Sequence, residues 1–138
     1  MKKVYRKMPN NKTVMFDVDD TLVLWNPSVE KLSKDYPTFT DSISDKEVKF
    51  YGHLQNIKYL IQYAIRGYNV IVWSKAGSDW ADMAVRGLGI EQYVDLTIPK
   101  PDFLVDDLPL TDFLPDTTFL KLDMHNKDDL DFVIEAIK

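Results

Sequence analysis

The sequence predicts an α/β fold: a mostly parallel central sheet covered by helices on both faces, hence three layers. Three observations predict it. Short apolar runs, Val14-Met15-Phe16 and Val70-Ile71-Val72-Trp73, have the continuous β-branched and aromatic character of parallel strands buried on both sides. Segments of helical period alternate with these runs, the pattern that builds βαβ units. At 138 residues and 45% hydrophobic composition the chain supplies one core without covalent staples, so residues 1–138 are expected to form a single domain.

Each element follows in order. Thr13–Phe16 reads as a short buried strand ending in Asp17-Val18-Asp19-Asp20-Thr21. Residues 22–44, with Pro27, Pro37 and many Ser, Thr and Asp, read as a loop or flap holding one short helix near Ser28–Asp35. Val48, Tyr51, Leu54, Ile57 or Lys58, Ile61 and Ile65 fall at steps of three and four, so a long helix is expected from about Asp45, ending at Gly67. Tyr68–Trp73 reads as a second buried strand that ends at Ser74. Ser78 is the expected cap of a helix through Arg86, closed by Gly87 and Gly89. Tyr93–Ile98 and Asp102–Val105 read as two further strands, the second ending in Asp106-Asp107. A strand at Thr118–Leu122 and a helix over Lys127–Ile137, capped by Asn126, complete the pattern, with no repeat, low-complexity tract or linker.

Composition excludes several classes of function. With no cysteine there is no disulfide framework, thiolate metal site or cysteine nucleophile. Seventeen basic against 22 acidic residues give −5, which disfavours broad nucleic-acid binding but permits docking of one phosphorylated end. Residues 1–12 carry Lys2, Lys3, Arg6, Lys7 and Lys12 without an acid, yet no signal-peptide apolar stretch follows. No window reaches the ~18 apolar residues of a membrane span, so a soluble, cytoplasmic protein without a membrane partner is expected.

In open α/β sheets ligands sit outside the carboxyl ends of the strands. The polar residues of this chain gather at those ends: Asp17, Asp19 and Thr21 after the first strand, Ser74 after the second, Asp106 and Asp107 after a later one, with Lys100 just before it. Taken singly each has a plain explanation. Asp-x-Asp is common in turns, Ser74 suits a cap, Asp106-Asp107 suits a solvated loop, and Lys100 lies between two prolines. Their joint order after apolar strands is what points to chemistry. Five carboxylates on one rim (Asp17, Asp19, Asp20, Asp106, Asp107) would repel without a cation, and a hard divalent ion such as Mg²⁺ takes such oxygen ligands with water and phosphate.

With these residues in place, the chain resembles the haloacid dehalogenase superfamily of phosphohydrolases. Met15-Phe16-Asp17-Val18-Asp19-Asp20-Thr21 is similar to that family's first motif, an apolar strand ending in Asp-x-Asp-x-Thr. Val70–Ser74 resembles the second, and Lys100 with Phe103-Leu104-Val105-Asp106-Asp107 resembles the last two; Arg86–Ile90 and Tyr93-Val94-Asp95 also fit. The resemblance covers residues 13–107 and implies a Rossmann-like three-layer sandwich. It further implies a phosphoric monoester hydrolase that works through an aspartyl-phosphate. Asp17 would be the nucleophile, and Asp19 the general acid and then the base toward water. Asp17, the main chain of Asp19, Asp106 and Asp107 would serve Mg²⁺. Thr21, Ser74 and Lys100 would bind phosphate. Lys100 stands only six residues before Asp106, a shortened spacing, and Lys75 beside Ser74 is its rival. Asp20 occupies a position that is often glycine in the family.

Larger members carry a cap domain over the site. Of the 52 residues between Thr21 and Ser74, the expected helix and strand use 29, which leaves 23; Ser74 to Lys100 leaves 25, filled by one helix and one strand. No cap domain fits, so the site should be open and suited to a bulky phosphate: a nucleotide, a nucleic-acid end or a phosphoprotein. Two other classes compete. A phospho-accepting receiver domain, a signalling switch, shares the residue types, but its acidic pair and phosphorylated Asp lie on different strands and its Lys comes last. A catalytically silent binding module on the same fold would need neither Asp17 nor Asp19. Of the remaining residues, His53 is expected in the long helix as a surface or packing residue, His125 as local to the last helix and Trp73 as core. Trp25 and Asn26, just past the first motif, suit either substrate contact or packing.

Overall fold

The computed structural model describes residues 11–25, 37–43 and 46–109. In chain order these hold strands β1 (Thr13–Asp17), β2 (Val23–Leu24), β3 (Thr38–Ile43) and β4 (Lys46–Gly52), helix α1 (Leu54–Ile65), β5 (Asn69–Ser74), helix α2 (Ser78–Gly87), a single 3-10 turn (Glu91–Tyr93) and β6 (Leu96–Pro99). The chain divides into two units, Met1–Lys100 and Pro101–Lys138. The expected helix near 28–35, the strand at 118–122 and the helix over 127–137 with Asn126 and His125 lie outside the described residues.

In the first unit β1, β5 and β6 form a parallel sheet in that order. Register pairs Val14 with Val70 and Phe16 with Val72, so one face carries Phe16, Val70, Val72 and Ser74, all buried. Both βαβ crossovers step in the same direction, and right-handed connections then place α1 and α2 on one face. The edge-to-face contact of Phe16 with Tyr63 of α1, 5.9 Å between centroids, fixes that face as the buried one. On the opposite face Met15 is 43% and Leu96 52% exposed. The α/β class thus holds among the described residues.

Helix α1 starts later than its periodicity suggests. Residues 46–52 are a strand because their real period is two: Glu47 and Lys49 are exposed, while Val48 is half-buried and Phe50 and Gly52 are buried. Val48 and Tyr51 match helical steps only by coincidence. His53 is therefore the cap of α1, its Nδ1 accepting the Asn56 amide at 3.1 Å, and not a residue inside the helix. Both helices close on left-handed glycines, Gly67 (φ 89) and Gly89 (φ 70). In each the next amide reaches back to the last turn, Tyr68 N to Tyr63 O and Ile90 N to Val85 O, both 3.1 Å. At the start of α2 the cap is Gly77 and Ser78 is the first helical residue, since Gly77 takes φ 107.

The described residues between Leu22 and Gly52 hold strands where a loop was expected. β2, β4 and β3 form an antiparallel sheet, β4 in the middle, with Phe39 opposite Phe50 and their rings 5.2 Å apart. Its polar alternation, Thr38-Phe39-Thr40-Asp41, is that of a sheet with one face in water, which leaves no long apolar run to read. The sheet seats on α2 through a close approach: a Cβ on Gly87 would lie 2.5 Å from the Phe39 ring and 2.9 Å from Phe39 Cβ. Gly87→Ala is thus expected to cost about 1–3 kcal/mol, read as a lowered urea midpoint with an unchanged slope.

Two strand expectations need correction. β6 begins at Leu96, after the 3-10 turn, so Tyr93–Asp95 is not strand. Asp95 instead clamps β5, its carboxylate accepting the Val70 amide at 2.8 Å. In the second unit Asp102–Val105 forms no strand; Phe103 and Val105 are exposed. Pro101 removes a donor just before it, and no described strand of that unit pairs with it.

Tyr63 lies under this core, and burial raises its hydroxyl above the ordinary 10.0; neighbouring Tyr68, 4.9 Å away, raises it further, and Arg66 offsets part of this. A folded pKa above the unfolded one keeps its full stabilisation below about pH 10 and loses it as pH rises through the folded value. Urea midpoints should fall as pH rises above about 10, and Tyr63→Phe should flatten that decline.

Candidate functional site

The carboxyl end of β1 turns sharply. The Val18 carbonyl accepts amides from Thr21, Leu22 and Val23 at 3.1, 2.9 and 2.9 Å, which folds Asp17–Thr21 into one tight loop. The turn needs a left-handed residue at Asp20, φ 60, and aspartate tolerates that region better than most side chains. Asp20 also holds the loop's exit, its Oδ1 accepting the Trp25 amide at 3.1 Å.

The Asp17 carboxylate is bracketed. Lys100 Nζ lies 2.8 Å from Oδ1, and Thr21 Oγ1 donates to Oδ2 at 3.2 Å. Lys100 arrives from the end of β6, where its amide donates to the Ser74 carbonyl at 2.9 Å, and its ammonium lies 5.9 Å from the Trp73 ring centre. Both side chains of the pair are about one third exposed, at 30% and 31%, so Asp17 remains open to a ligand. Between the two lysines weighed from sequence, it is Lys100 that reaches Asp17.

Asp19, on the same loop, has partners of its own. Its Oδ1 accepts two indole N–H groups, from Trp25 at 2.8 Å and Trp80 at 3.1 Å, and Ser74 Oγ donates to Oδ2 at 3.3 Å. Ser74 is fully buried and its Oγ also accepts the Ala76 amide at 3.0 Å, so the hydroxyl's one proton is free to point at Asp19. Trp25 and Trp80 join Phe39 and Phe50 in an aromatic wall, with centroid distances of 5.1 Å for Trp25–Phe50 and 5.3 Å for Phe50–Trp80.

Asp17, Asp19, Thr21, Ser74 and Lys100 thus form one connected group. Asp106 and Asp107 belong to the second unit, where Asp106 Oδ1 accepts the Leu108 amide at 3.0 Å. That bond, followed by hydrogen bonding to Asp107, holds the Asp106 carboxyl below its ordinary 3.8. Among the described residues no three His, Asp or Glu side chains converge on a metal-sized space. Magnesium commonly takes only one or two carboxylates with water and phosphate, and the half-open Asp17 carboxylate beside a main-chain turn fits that oxygen-only chemistry.

Two residues escaped the sequence reading. Asn56, fully buried in the first turn of α1, donates from Nδ2 to the Thr21 carbonyl at 2.9 Å and ties the loop to the helix; its Oδ1 is buried without a partner. Trp80 lies in the first turn of α2. A signal existed for it, because a helix that follows a parallel strand begins at the same rim where that strand ends. No family model matches the chain, and no curated protein matches it.

Proposed function

We propose that the protein is a Mg²⁺-dependent phosphomonoester hydrolase working through an aspartyl-phosphate on Asp17. The observation that carries this reading is the bracketing of the Asp17 carboxylate by Lys100 and Thr21 at a strand's carboxyl end, with Asp19 on the same loop. Lys100 aligns one carboxylate oxygen and offers positive charge to the transferring phosphoryl group. Asp17 attacks phosphorus, the bond to the leaving oxygen breaks, and Asp19 gives that oxygen a proton. Water then attacks phosphorus as Asp19 takes its proton, and the bond to Asp17 breaks. Asp17 and the Asp19 carbonyl would hold the metal, which when bound neutralises phosphoryl charge. Ser74 would hold a phosphoryl oxygen.

The sheet of β2, β3 and β4 takes the place of a cap domain in this reading, and the fold would be a Rossmann-like three-layer sandwich. A nucleotide, a nucleic-acid end or a phosphoprotein would have room beside it. The deciding experiment is phosphate release from nucleotides, sugar phosphates, phosphopeptides, phosphorylated oligonucleotides and an aryl phosphate, with Mg²⁺ and with chelator. Chelator-sensitive turnover of at least one substrate is expected. Turnover of none would remove the enzyme reading.

A further inference from the structure

An indole nitrogen can donate a hydrogen bond but cannot accept one. Two such donors, Trp25 Nε1 and Trp80 Nε1, converge on a single oxygen, Asp19 Oδ1, at 2.8 and 3.1 Å. A carboxyl proton placed on Oδ1 would face two N–H hydrogens and compete with both. Oδ2 has a different neighbour: the Ser74 hydroxyl, 3.3 Å away, which can either donate or accept. Ser74 donates when Oδ2 is bare and can turn to accept when Oδ2 carries a proton, while Ala76 N anchors its oxygen at 3.0 Å.

We propose that Trp25 and Trp80 are positioning residues that divide the labour of Asp19: Oδ1 is a fixed acceptor, and Oδ2 is the oxygen that gives and takes the proton. The inference rests on the proposed hydrolase reading for its catalytic consequence, but the oxygen assignment itself is a property of the hydrogen bonds. In the first step the Oδ2–H bond breaks, its electron pair stays on Oδ2, and the proton passes to the leaving oxygen as the phosphorus bond to it breaks. In the second step Oδ2 takes a proton from water as the water oxygen bonds phosphorus and Asp17 is released. Both indoles keep Oδ1 in place throughout. The aromatic wall supports the geometry, since Trp80 packs on Phe50 and Phe39 and Trp25 on Phe50.

The test has two arms. In the first, hydrogen exchange of the three tryptophan indole N–H groups is followed by NMR in the wild type, Asp19→Asn and Asp19→Ala, with Trp25→Phe and Trp80→Phe for assignment. An asparagine can offer its oxygen to the indoles only if its amide nitrogen faces Ser74. The Trp25 and Trp80 signals should therefore stay protected in Asp19→Asn and exchange about three- to tenfold faster in Asp19→Ala, the weight of an ordinary hydrogen bond. Equal rates in all three proteins, or an Asp19→Asn protein that exchanges as fast as Asp19→Ala, would overturn the assignment.

In the second arm, Trp25→Phe and Trp80→Phe keep an aromatic ring but lose the donor. For a phosphate ester with a strongly basic leaving group kcat/KM, which reports only the first step, should fall about tenfold, with little change in kcat/KM for p-nitrophenyl phosphate. An equal loss on both esters, or none, would reduce the two tryptophans to packing. A wild-type protein inactive on every substrate would sink the hydrolase reading, and the exchange arm would still decide the oxygen assignment.

Discussion

Asp17→Asn is expected to lower Mg²⁺-dependent phosphate release by more than about a thousandfold, as removal of a covalent nucleophile does. The substitution keeps the shape of the side chain and leaves an oxygen for Thr21 Oγ1, whose bond to Asp17 Oδ2 is 3.2 Å. What is lost is the negative charge facing Lys100 and the capacity to form an acyl phosphate. Because the Asp17–Lys100 pair is about one third exposed, at 31% and 30%, its removal should barely move the thermal midpoint. Activity and stability are therefore expected to separate. Undiminished turnover in the Asp17→Asn protein would exclude Asp17 as the nucleophile.

Lys100→Ala is expected to produce the second largest loss, about 10²–10³ in kcat/KM, the scale seen when one preorganised donor to a charged transition state is removed. The Lys100 ammonium is the one described cation in contact with Asp17, at 2.8 Å, and its amide is fastened to the Ser74 carbonyl. Lys75→Ala should change kcat/KM by less than about threefold, since the described lysine contact to the Asp17 carboxylate comes from Lys100. Steady-state kinetics of the two variants side by side give the check. Equal losses, or a larger one in Lys75→Ala, would reverse the assignment.

The parts of the fold that could be read from sequence are those whose local and tertiary signals agree. β1 and β5 are apolar throughout because a parallel strand is covered along its length, and each ends abruptly in a polar residue, Asp17 and Ser74. Gly67 and Gly89 gave the helix ends for the same reason, since both take the left-handed conformation that the closing hydrogen bonds require. β3 and β4 were hidden because an antiparallel sheet with one wet face alternates polar and apolar residues. In Glu47-Val48-Lys49-Phe50-Tyr51 that alternation overlapped the true helix period that begins at Leu54.

The site was legible to the same extent. Asp17, Thr21, Ser74 and Lys100 share one rim because parallel strands end there. The partners of Asp19 were not legible, because Trp80 reaches it across 61 positions through the β5–α2 crossover. Asn56 was hidden by a similar accident of packing, its amide meeting a loop carbonyl 35 positions earlier. Asp102–Val105 shows the converse. Four residues of strand composition form no strand where no described strand of their unit pairs with them.

The loop that carries Asp17 and Asp19 is stitched to α1 twice, by His53 N to the Leu22 carbonyl at 2.8 Å and by Asn56 Nδ2 to the Thr21 carbonyl at 2.9 Å. Loop and helix therefore belong to one cooperative unit of opening. Backbone amides of Asp20, Leu22 and His53 should exchange with deuterium at the slow rate of the α1 interior rather than at the rate of a fraying surface turn.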